Sequence, residues 1–278
     1  MLRSLPYEIP YLLSAGHYWK TKMFKLTQKI DFASEIFVDS GAQQFFRKFK
    51  GFLYPYTTIE YVAFANSIEA NLIATLDLPL DILTPRGLSV HKGIERTVDY
   101  GVEMIESVGK ENRNKVVPVL QGFDDATQWL ECLDLYRSQG IKSENWGIGS
   151  LCMARSSRLV RNVVTEIRRE LADAHIHIFG LSLDSLREVH EDVDSFDTSV
   201  WVYWAKMDGA VLVWDSLEQR FVHLQARDGK RYDTLSLMRM NIKSIEDMVD
   251  DLNSQIWKRK INSEKKELEK PPTQGSKS

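Results

Sequence analysis

Short apolar segments alternate with longer amphipathic segments along most of this chain, and this alternation constrains the fold more than any other feature. The apolar segments are almost continuously hydrophobic, as is typical of strands that are buried on both faces of a parallel sheet. We predict strands at residues 9–15, 35–40, 71–77, 116–122, 145–151, 176–182 and 195–201.

Helices are predicted between several of these strands. Residues 91–108, 124–139 and 156–173 each carry apolar side chains at spacings of three and four, which place them on one stripe of a helix. Strand–helix alternation repeated this often is typical of a parallel βαβ architecture. We therefore predict an α/β fold closed into a (β/α)8 TIM barrel, in preference to an open sheet.

The alternation ends near residue 205. Residues 210–216 and 220–229 predict a small β-hairpin insertion, and Ser244 is predicted to cap a C-terminal helix over about 245–262. The last residues are charged and rich in Pro, Gly and Ser. We therefore predict one barrel domain over 1–262 and a flexible charged tail over 263–278.

Composition narrows the class of protein. The net charge of −3 gives no general attraction to nucleic acid, so a polyanionic partner must be met by a local basic face. Two cysteines, Cys132 and Cys152, provide neither a disulfide framework nor a cysteine-rich metal site. Since no apolar run approaches the roughly 20 residues that cross a bilayer, we expect a cytoplasmic protein without a membrane partner.

Polar residues follow several predicted strands, at the end where barrel enzymes place their active sites. They are Asp39, Asp77, Gln121, Gly149, Ser150 and Asp197. Three acids in one cavity cannot all ionise normally, because burial and mutual repulsion raise the pKa of at least one of them. No zinc spacing, phosphate-binding loop or nucleophile elbow is present. We therefore expect glycosyl chemistry without metal or cofactor, in which one carboxylate attacks and another transfers a proton.

Each of these residues also has an ordinary structural explanation. Asp197 could cap the next helix, and Asp39 precedes a Ser-Gly pair that is common in turns. Gln121 could begin a loop, and Gly149 could allow close packing. The individual residues do not separate these alternatives.

Six segments resemble motifs of the tRNA-guanine transglycosylase superfamily, and they occur in the order of that family. They are VDSGAQQF (38–45), NLIATLDLP (71–79), VLQG (119–122), WGIGSL (146–151), IHIFGLS (176–182) and SFDTSVW (195–201). Members of that superfamily are (β/α)8 barrels that exchange a guanine in nucleic acid for a 7-deazaguanine. The resemblance implies the same fold and the same class of reaction for this chain.

The resemblance also implies roles for individual residues. Asp197 would be the nucleophile that attacks C1′ of the target nucleotide and forms a covalent intermediate, and Asp39 would be the acid/base group. Asp77 and Gln121 would hydrogen-bond to the guanine edge, which presents N–H donors. Asp81 fits the D-x-x-T-P pattern of the family, so the choice between Asp77 and Asp81 stays open.

Other positions would form the walls of the base site. The backbone at Gly149, Ser150 and Leu151 would read the exocyclic oxygen and the 7-substituent, and Phe179 would pack on the base. Gln43 occupies the position where the family stacks an aromatic ring on the base. The resemblance therefore implies a base site whose stacking partner has changed.

The expected partner is a nucleic acid. The cysteine-rich zinc site of the tRNA enzymes is absent, as in relatives from phages and genomic islands that insert 7-deazaguanines such as preQ0 into DNA and so protect it from restriction. DNA is favoured, and the alternatives are tRNA or a barrel that only binds a base or a partner protein. A homodimer is compatible with the family. Expected contacts to nucleic acid are Arg155, Arg158, Arg47 and Lys48.

Overall fold

The structure, a computed structural model, describes residues 9–25, 30, 33–152, 156–225 and 233–268. Contacts between residues divide the chain into two compact units, Met1–Thr198 and Ser199–Ser278. The sequence predicts instead a single domain over 1–262, and that boundary stays a prediction.

The first unit contains two parallel sheets. Its strands are β1 (Ile9–Ser14), β2 (Trp19–Lys20), β3 (Met23–Phe24), β4 (Ala33–Asp39), β5 (Leu72–Ala74), β6 (Val116–Val117), β7 (Val119–Leu120), β8 (Asn145–Ile148), β9 (His175–Ile178) and β10 (Ser195–Phe196). One sheet has the order β1-β4-β5-β6 and the other β7-β8-β9-β10, while β2 and β3 form a short antiparallel ribbon. Only Pro118 separates β6 from β7, and proline has no N–H to donate to a sheet ladder.

Helices follow most of the parallel strands. They are α1 (Ala42–Lys48), α2 (Thr58–Ser67), α3 (Leu80–Leu83), α4 (Val90–Ser107), α5 (Ala126–Ser138), α6 (Ser157–Glu170) and α7 (Leu183–Val189), with 3-10 turns at Ala15–His17, Thr84–Arg86 and Lys110–Lys115. Ser89 caps α4 by accepting from Lys92 N, and Asp125 caps α5 by accepting from Thr127 N. The predicted helices over 91–108, 124–139 and 156–173 are confirmed within three residues at each end.

Both faces of the parallel strands are buried. On one face, Val38 and Ile73 pack into a cluster with α2 and α4. On the other face, Phe37, Ala74 and Val117 form a smaller cluster. Burial on both faces is the reason these strands read as continuous apolar runs. The predicted α/β fold with parallel strands is confirmed. Among the described residues the parallel strands form two four-stranded sheets, so the closed barrel stays a prediction.

The second unit contains α8 (Val200–Tyr203), a π-helical turn at Trp204–Asp208, the antiparallel hairpin β11 (Ala210–Asp215) and β12 (Arg220–Gln225), and α9 (Thr234–Leu268). The predicted hairpin is confirmed. The prediction that Ser244 caps the last helix is wrong, because α9 begins ten residues earlier and extends past residue 262.

Tertiary contacts explain why Ser244 lies inside this helix. The Asp233 carboxylate caps α9 by accepting from Leu235 N at 3.3 Å and Ser236 N at 3.1 Å. The Ser244 hydroxyl accepts from Trp214 N at 2.7 Å, and the Asn241 side chain accepts from β11 in the same way. Polar side chains of α9 therefore accept hydrogen bonds from backbone N–H groups of β11, and no local sequence pattern predicts such a contact.

Candidate active site

Asp39 lies at the carboxyl end of β4, after three buried residues, and is itself partly exposed. The chain then turns through Gly41, which has φ 77° and is the N-cap residue immediately before α1. A Cβ at Gly41 would lie 2.2 Å from the backbone nitrogen of Gly16, so only glycine fits this close approach. The Asp-Ser-Gly sequence therefore forms a tight turn that holds the Asp39 carboxyl at the strand end.

Asp77 follows β5 and lies beneath this turn, with 7% of its surface exposed. Its Oδ1 accepts from the Ser40 hydroxyl at 2.7 Å, and its Oδ2 accepts from Gln121 Nε2 at 2.5 Å. Both oxygens of the Asp77 carboxyl therefore accept hydrogen bonds from residues at neighbouring strand ends. One of these residues, Ser40, directly follows Asp39 in the chain.

Asp197 follows β10, and 26% of its side chain is exposed. Its Oδ1 accepts from Gly180 N at 2.8 Å, and His177 Nε2 lies 3.5 Å from the same oxygen. The carboxylate is thus fixed to the end of β9 while part of it faces solvent.

Electrostatic interactions connect Asp39 to each of the other two acids. Burial, followed by the charge of Asp197, raises the pKa of Asp39 to about 6. Burial, followed by the charge of Asp39, raises the pKa of Asp77 to about 7. Asp39 therefore interacts electrostatically with both other acids, and a pKa of about 6 is in the range that suits a general acid/base group.

Gln121 and Ser150 extend the hydrogen-bond network below Asp77. Gln121 donates to Asp77 and accepts from the Ser150 hydroxyl, which itself accepts from Leu80 N at 2.9 Å. Ser150 has φ 58°, in the left-handed region. A Cβ at Gly149 would lie 2.2 Å from Gln121 Nε2, so glycine is required for Gln121 to take this position.

Hydrogen bonds to both the N–H and the C=O of Gly149 fix the start of the loop that follows β8. Gly149 N donates to Leu120 O at 2.9 Å, and Gly149 O accepts from Trp129 Nε1 at 3.1 Å. Leu151 is buried. The Gly149 N–H is thus already used inside the sheet.

Phe179 follows β9 and packs among aromatic side chains. Its ring centroid lies 5.6 Å from that of Phe37 and 4.6 Å from that of His177. A Cβ at Gly147 would lie 2.5 Å from the Phe179 ring, so β8 needs glycine where this ring crosses it.

Gln43 belongs to a separate cluster. Its Nε2 contacts Cys152 Sγ, and the Cys152 thiol lies 3.4 Å from Asp81 Oδ2. Burial raises the pKa of Asp81, while nearby Arg47 opposes this effect. Among the described residues, the hydrogen bonds of the Gln43 side chain do not reach the three clustered acids. By contrast, the charge of Asp39 acts directly on the Asp77 carboxyl and raises its pKa.

The basic residues lie on exposed positions. Arg47 and Lys48 are on the last turn of α1, and Arg158 is on the first turn of α6. Arg155 lies outside the described residues. Arg161, one turn after Arg158, forms an ion pair with Glu188 at 2.7 Å. Contact of these residues with nucleic acid stays a prediction.

Three tyrosines that the sequence analysis did not assign support the strand ends. Tyr54 donates to Asp77 O at 2.7 Å, and Tyr56 donates to Ser40 O. The Tyr61 hydroxyl lies 3.1 Å and 3.0 Å from carbonyl oxygens of β4 and β5. Buried tyrosines need hydrogen-bond partners. These partners lie 13 to 23 residues away in the chain, so no local pattern indicates this role.

No described residues form a group of three or more His, Cys, Asp or Glu side chains that could hold a metal ion. No helix in the described ranges is long and apolar enough to cross a membrane.

The raised pKa of Asp77 predicts how stability depends on pH. Its pKa is about 7 in the folded chain, against 3.8 for an ordinary aspartate, so its contribution to stability is full below about pH 4 and is lost as pH rises through 7. Asp77→Asn cannot ionise. We therefore expect its stability relative to the wild type to increase from pH 4 to pH 8, on top of a constant loss from the one acceptor oxygen that asparagine lacks. At about 1.4 kcal/mol per pKa unit, the gain is on the order of 2–4 kcal/mol.

Urea unfolding of both proteins across this pH range measures the effect. Asp99→Asn is a matched control, because Asp99 is an exposed acid on α4. We expect the control to follow the wild type at every pH. A constant difference between Asp77→Asn and the wild type from pH 4 to 8 would contradict the raised pKa.

A known protein family matches a large part of this chain. The family model described as "DpdA: DeoxyPurine in DNA protein A" matches residues 19–215, which is more than half of the chain. The matched range includes all three clustered acids, Gln121 and the loop at Gly149. No significant match was found among curated proteins. The resemblance inferred from the sequence motifs is confirmed: the chain belongs to the DpdA family, a family of DNA 7-deazaguanine transglycosylases related to the tRNA-guanine transglycosylases.

Proposed function

We propose that this protein replaces guanine in DNA by a 7-deazaguanine such as preQ0, through a covalent aspartyl–nucleotide intermediate. The observation that carries the proposal is the coupling of Asp39 to both Asp77 and Asp197 at the ends of parallel strands. Family membership supports DNA modification with 7-deazaguanine as the reaction class.

The first half of the reaction removes guanine. The Asp197 carboxylate attacks C1′ of the target nucleotide while the C1′–N9 bond breaks, and N9 of the leaving guanine takes a proton from Asp39. A pKa of about 6 leaves a fraction of Asp39 protonated near neutral pH, so it can supply this proton.

The second half inserts the new base. Asp39, now ionised, accepts the N9 proton of the 7-deazaguanine, and N9 attacks C1′ as the bond to Asp197 breaks. The Asp197 carboxylate and the protonated form of Asp39 are restored, so the cycle needs no oxidant, reductant or further reactant. Division into two steps lets one base leave before the other enters.

Asp77 and Gln121 are suited to bind the base. Their oxygen atoms accept from the N1–H and N2–H groups of guanine, once the base displaces part of their mutual hydrogen bonds. The Gly149 N–H already donates to Leu120 O. We therefore assign the reading of O6 to the N–H groups of Ser150 and Leu151, with Phe179 at the base face.

Gln43 has a modified role in this proposal. Its amide nitrogen contacts Cys152 Sγ, and the Cys152 thiol in turn lies 3.4 Å from Asp81 Oδ2. We assign it to the edge of the base site, where it replaces an aromatic ring by a polar contact. Asp77 is preferred over Asp81 for base binding, because the charge of Asp39 acts directly on Asp77.

We also infer that the parallel strands, seven when β6 and β7 count as one, curl into the wall of a (β/α)8 barrel. When β6 and β7 count as one strand, four inter-strand spacings separate β4 from β9. In a flat sheet this separation would be about 19 Å. The Phe37 ring on β4 nevertheless lies 4.9 Å from the His177 ring on β9. A curved wall brings these rings together, and spin-label distances between β1 and β10 test its closure.

The target base must leave its stack before C1′ becomes accessible. Arg47, Lys48 and Arg158 are exposed cations that suit the phosphates beside a flipped nucleotide. Local basic residues are needed because the whole chain carries a net charge of −3.

The experiment that tests this function offers radiolabelled guanine and preQ0 to the protein with double-stranded DNA, single-stranded DNA or tRNA. We expect label to enter DNA, and entry to require a deoxyguanosine in the sequence. Label in tRNA with none in DNA would replace the DNA assignment by the tRNA one. Absence of label from all three polymers would reject base exchange and leave the alternative of a barrel that only binds.

A further inference from the structure

His177 is a buried histidine next to Asp197. Only 4% of its surface is exposed, and its ring packs between Phe37 and Phe179, with centroids 4.9 Å and 4.6 Å away. Its Nε2 lies 3.5 Å from Asp197 Oδ1, and no described residue forms a hydrogen bond with this nitrogen. An unpaired nitrogen in such a site is costly, so this contact requires a functional explanation.

The two oxygens of the Asp197 carboxylate differ in their surroundings. Gly180 N donates to Oδ1 at 2.8 Å, and His177 Nε2 faces the same atom. Within the part of the chain that the structure describes, the hydrogen bonds to this carboxylate end on Oδ1. Oδ2 is therefore the oxygen that a substrate atom can approach.

The Ser195 hydroxyl lies beside the other ring nitrogen of His177 and is shared with His175. The Ser195 hydroxyl lies 2.9 Å from His177 Nδ1 and 2.8 Å from His175 Nε2. Because a hydroxyl has one proton, it donates to one ring and accepts from the other. If it donates to His177 Nδ1, the proton of the neutral His177 ring lies on Nε2 and faces Asp197. The opposite arrangement would direct a nitrogen lone pair at a carboxylate, which is electrostatically unfavourable.

We propose that His177 is a positioning residue which, together with the Gly180 N–H, holds Oδ1 of Asp197 and makes Oδ2 the attacking oxygen. This inference rests on the proposed function. The bond then forms between Oδ2 and C1′ as the C1′–N9 bond breaks and its electron pair moves to N9, while Oδ1 becomes the ester carbonyl. When the new base attacks, the negative charge returns to the carboxylate, and the His177 N–H stabilises it.

A separation of 3.5 Å exceeds a normal hydrogen bond. Catalytic hydrogen bonds are often long without substrate and shorten in the reacting complex. His177 therefore acts on the rate of the chemical steps more than on substrate affinity, because it contacts neither the base nor the DNA in this arrangement.

Two substitutions of His177 test its two ring nitrogens separately: Nε2, which faces Asp197, and Nδ1, which contacts Ser195. The amide nitrogen of glutamine takes the place of a histidine Nε2, and that of asparagine takes the place of Nδ1. We expect His177→Gln to keep kcat within about fivefold of the wild type, and His177→Asn to lose about 10- to 100-fold. The KM values for base and DNA should change less than threefold in both variants.

Thermal unfolding shows whether both variants fold. A purely structural role would make the two variants lose kcat in parallel with their loss of folded protein, and that result would overturn the inference. Full activity of His177→Asn would overturn it as well. If the wild type itself exchanges no base, the proposed function fails; if it is active while the variants do not differ, only the role of His177 fails.

Nitrogen-15 NMR of His177 provides a readout that needs no activity. In the wild type we expect the neutral ring to carry its proton on Nε2, and in Ser195→Ala we expect a larger share of the Nδ1–H form. A wild-type ring protonated on Nδ1 alone would overturn the proposal. An unchanged ratio in Ser195→Ala would remove Ser195 from it.

Discussion

Asp197→Asn should abolish base exchange, with a rate loss of about 10³-fold or more. An amide is too weak a nucleophile to form the covalent bond to C1′. The fold should persist, because an asparagine oxygen can still accept from Gly180 N, as Oδ1 of Asp197 does at 2.8 Å. Incorporation of labelled preQ0 into DNA measures the rate, and a denaturing gel measures the covalent protein–DNA adduct, which should be missing in the variant.

Asp194→Asn is the matched control for this experiment. Asp194 lies three residues earlier, pairs with Arg168 at 2.5 Å and accepts from Ile176 N at 2.7 Å. We expect this variant to retain activity and to unfold about 2–4 °C lower, as a loss near 1 kcal/mol implies. Asp197→Asn should thus lose activity and keep its stability, whereas Asp194→Asn should keep its activity and lose some stability. Activity of Asp197→Asn within tenfold of the wild type would refute Asp197 as the nucleophile.

Asp39→Asn should lower the exchange rate by about 10²- to 10⁴-fold, the range for loss of a general acid/base group. In the wild type, guanine release requires the protonated form of Asp39. Because the pKa of Asp39 is raised to about 6, this step should slow as pH rises above 6. Asparagine carries no titrating proton, so the remaining rate should lose that dependence on pH.

Initial rates of label exchange between about pH 5 and pH 8 test this prediction. Glu35→Gln is the control, because Glu35 is an exposed acid on the same strand as Asp39. We expect the control to reproduce the rate and pH profile of the wild type. A decrease above pH 6 that persists in Asp39→Asn would assign the titrating group to another residue, with Asp77 the first candidate since its pKa is about 7.

The parallel strands and the amphipathic helices were predictable because their signals are local. Strands such as β4 and β5 are buried on both faces, so their hydrophobicity is continuous whatever their neighbours are. The same applies to Asp39, Asp77 and Asp197, since the strand end is visible as the point where an apolar run meets an acid. The start of α9 was not predictable, because Ser244 looks like a cap until the hairpin that binds its hydroxyl is known.

The sequence by itself determined the order of strands and helices, the acids at the strand ends and the family to which the chain belongs. The strands, helices and acids follow from short local segments, and the family follows from six such segments taken together in their order. Only the tertiary structure decided which side chains meet: Ser40 with Asp77, Gln43 with Cys152, and His177 with Asp197. The raised pKa values of Asp39 and Asp77 also depend on the tertiary structure. Burial and coupling between charges depend on distances across the fold, and residues far apart in the chain carry no local sign of them.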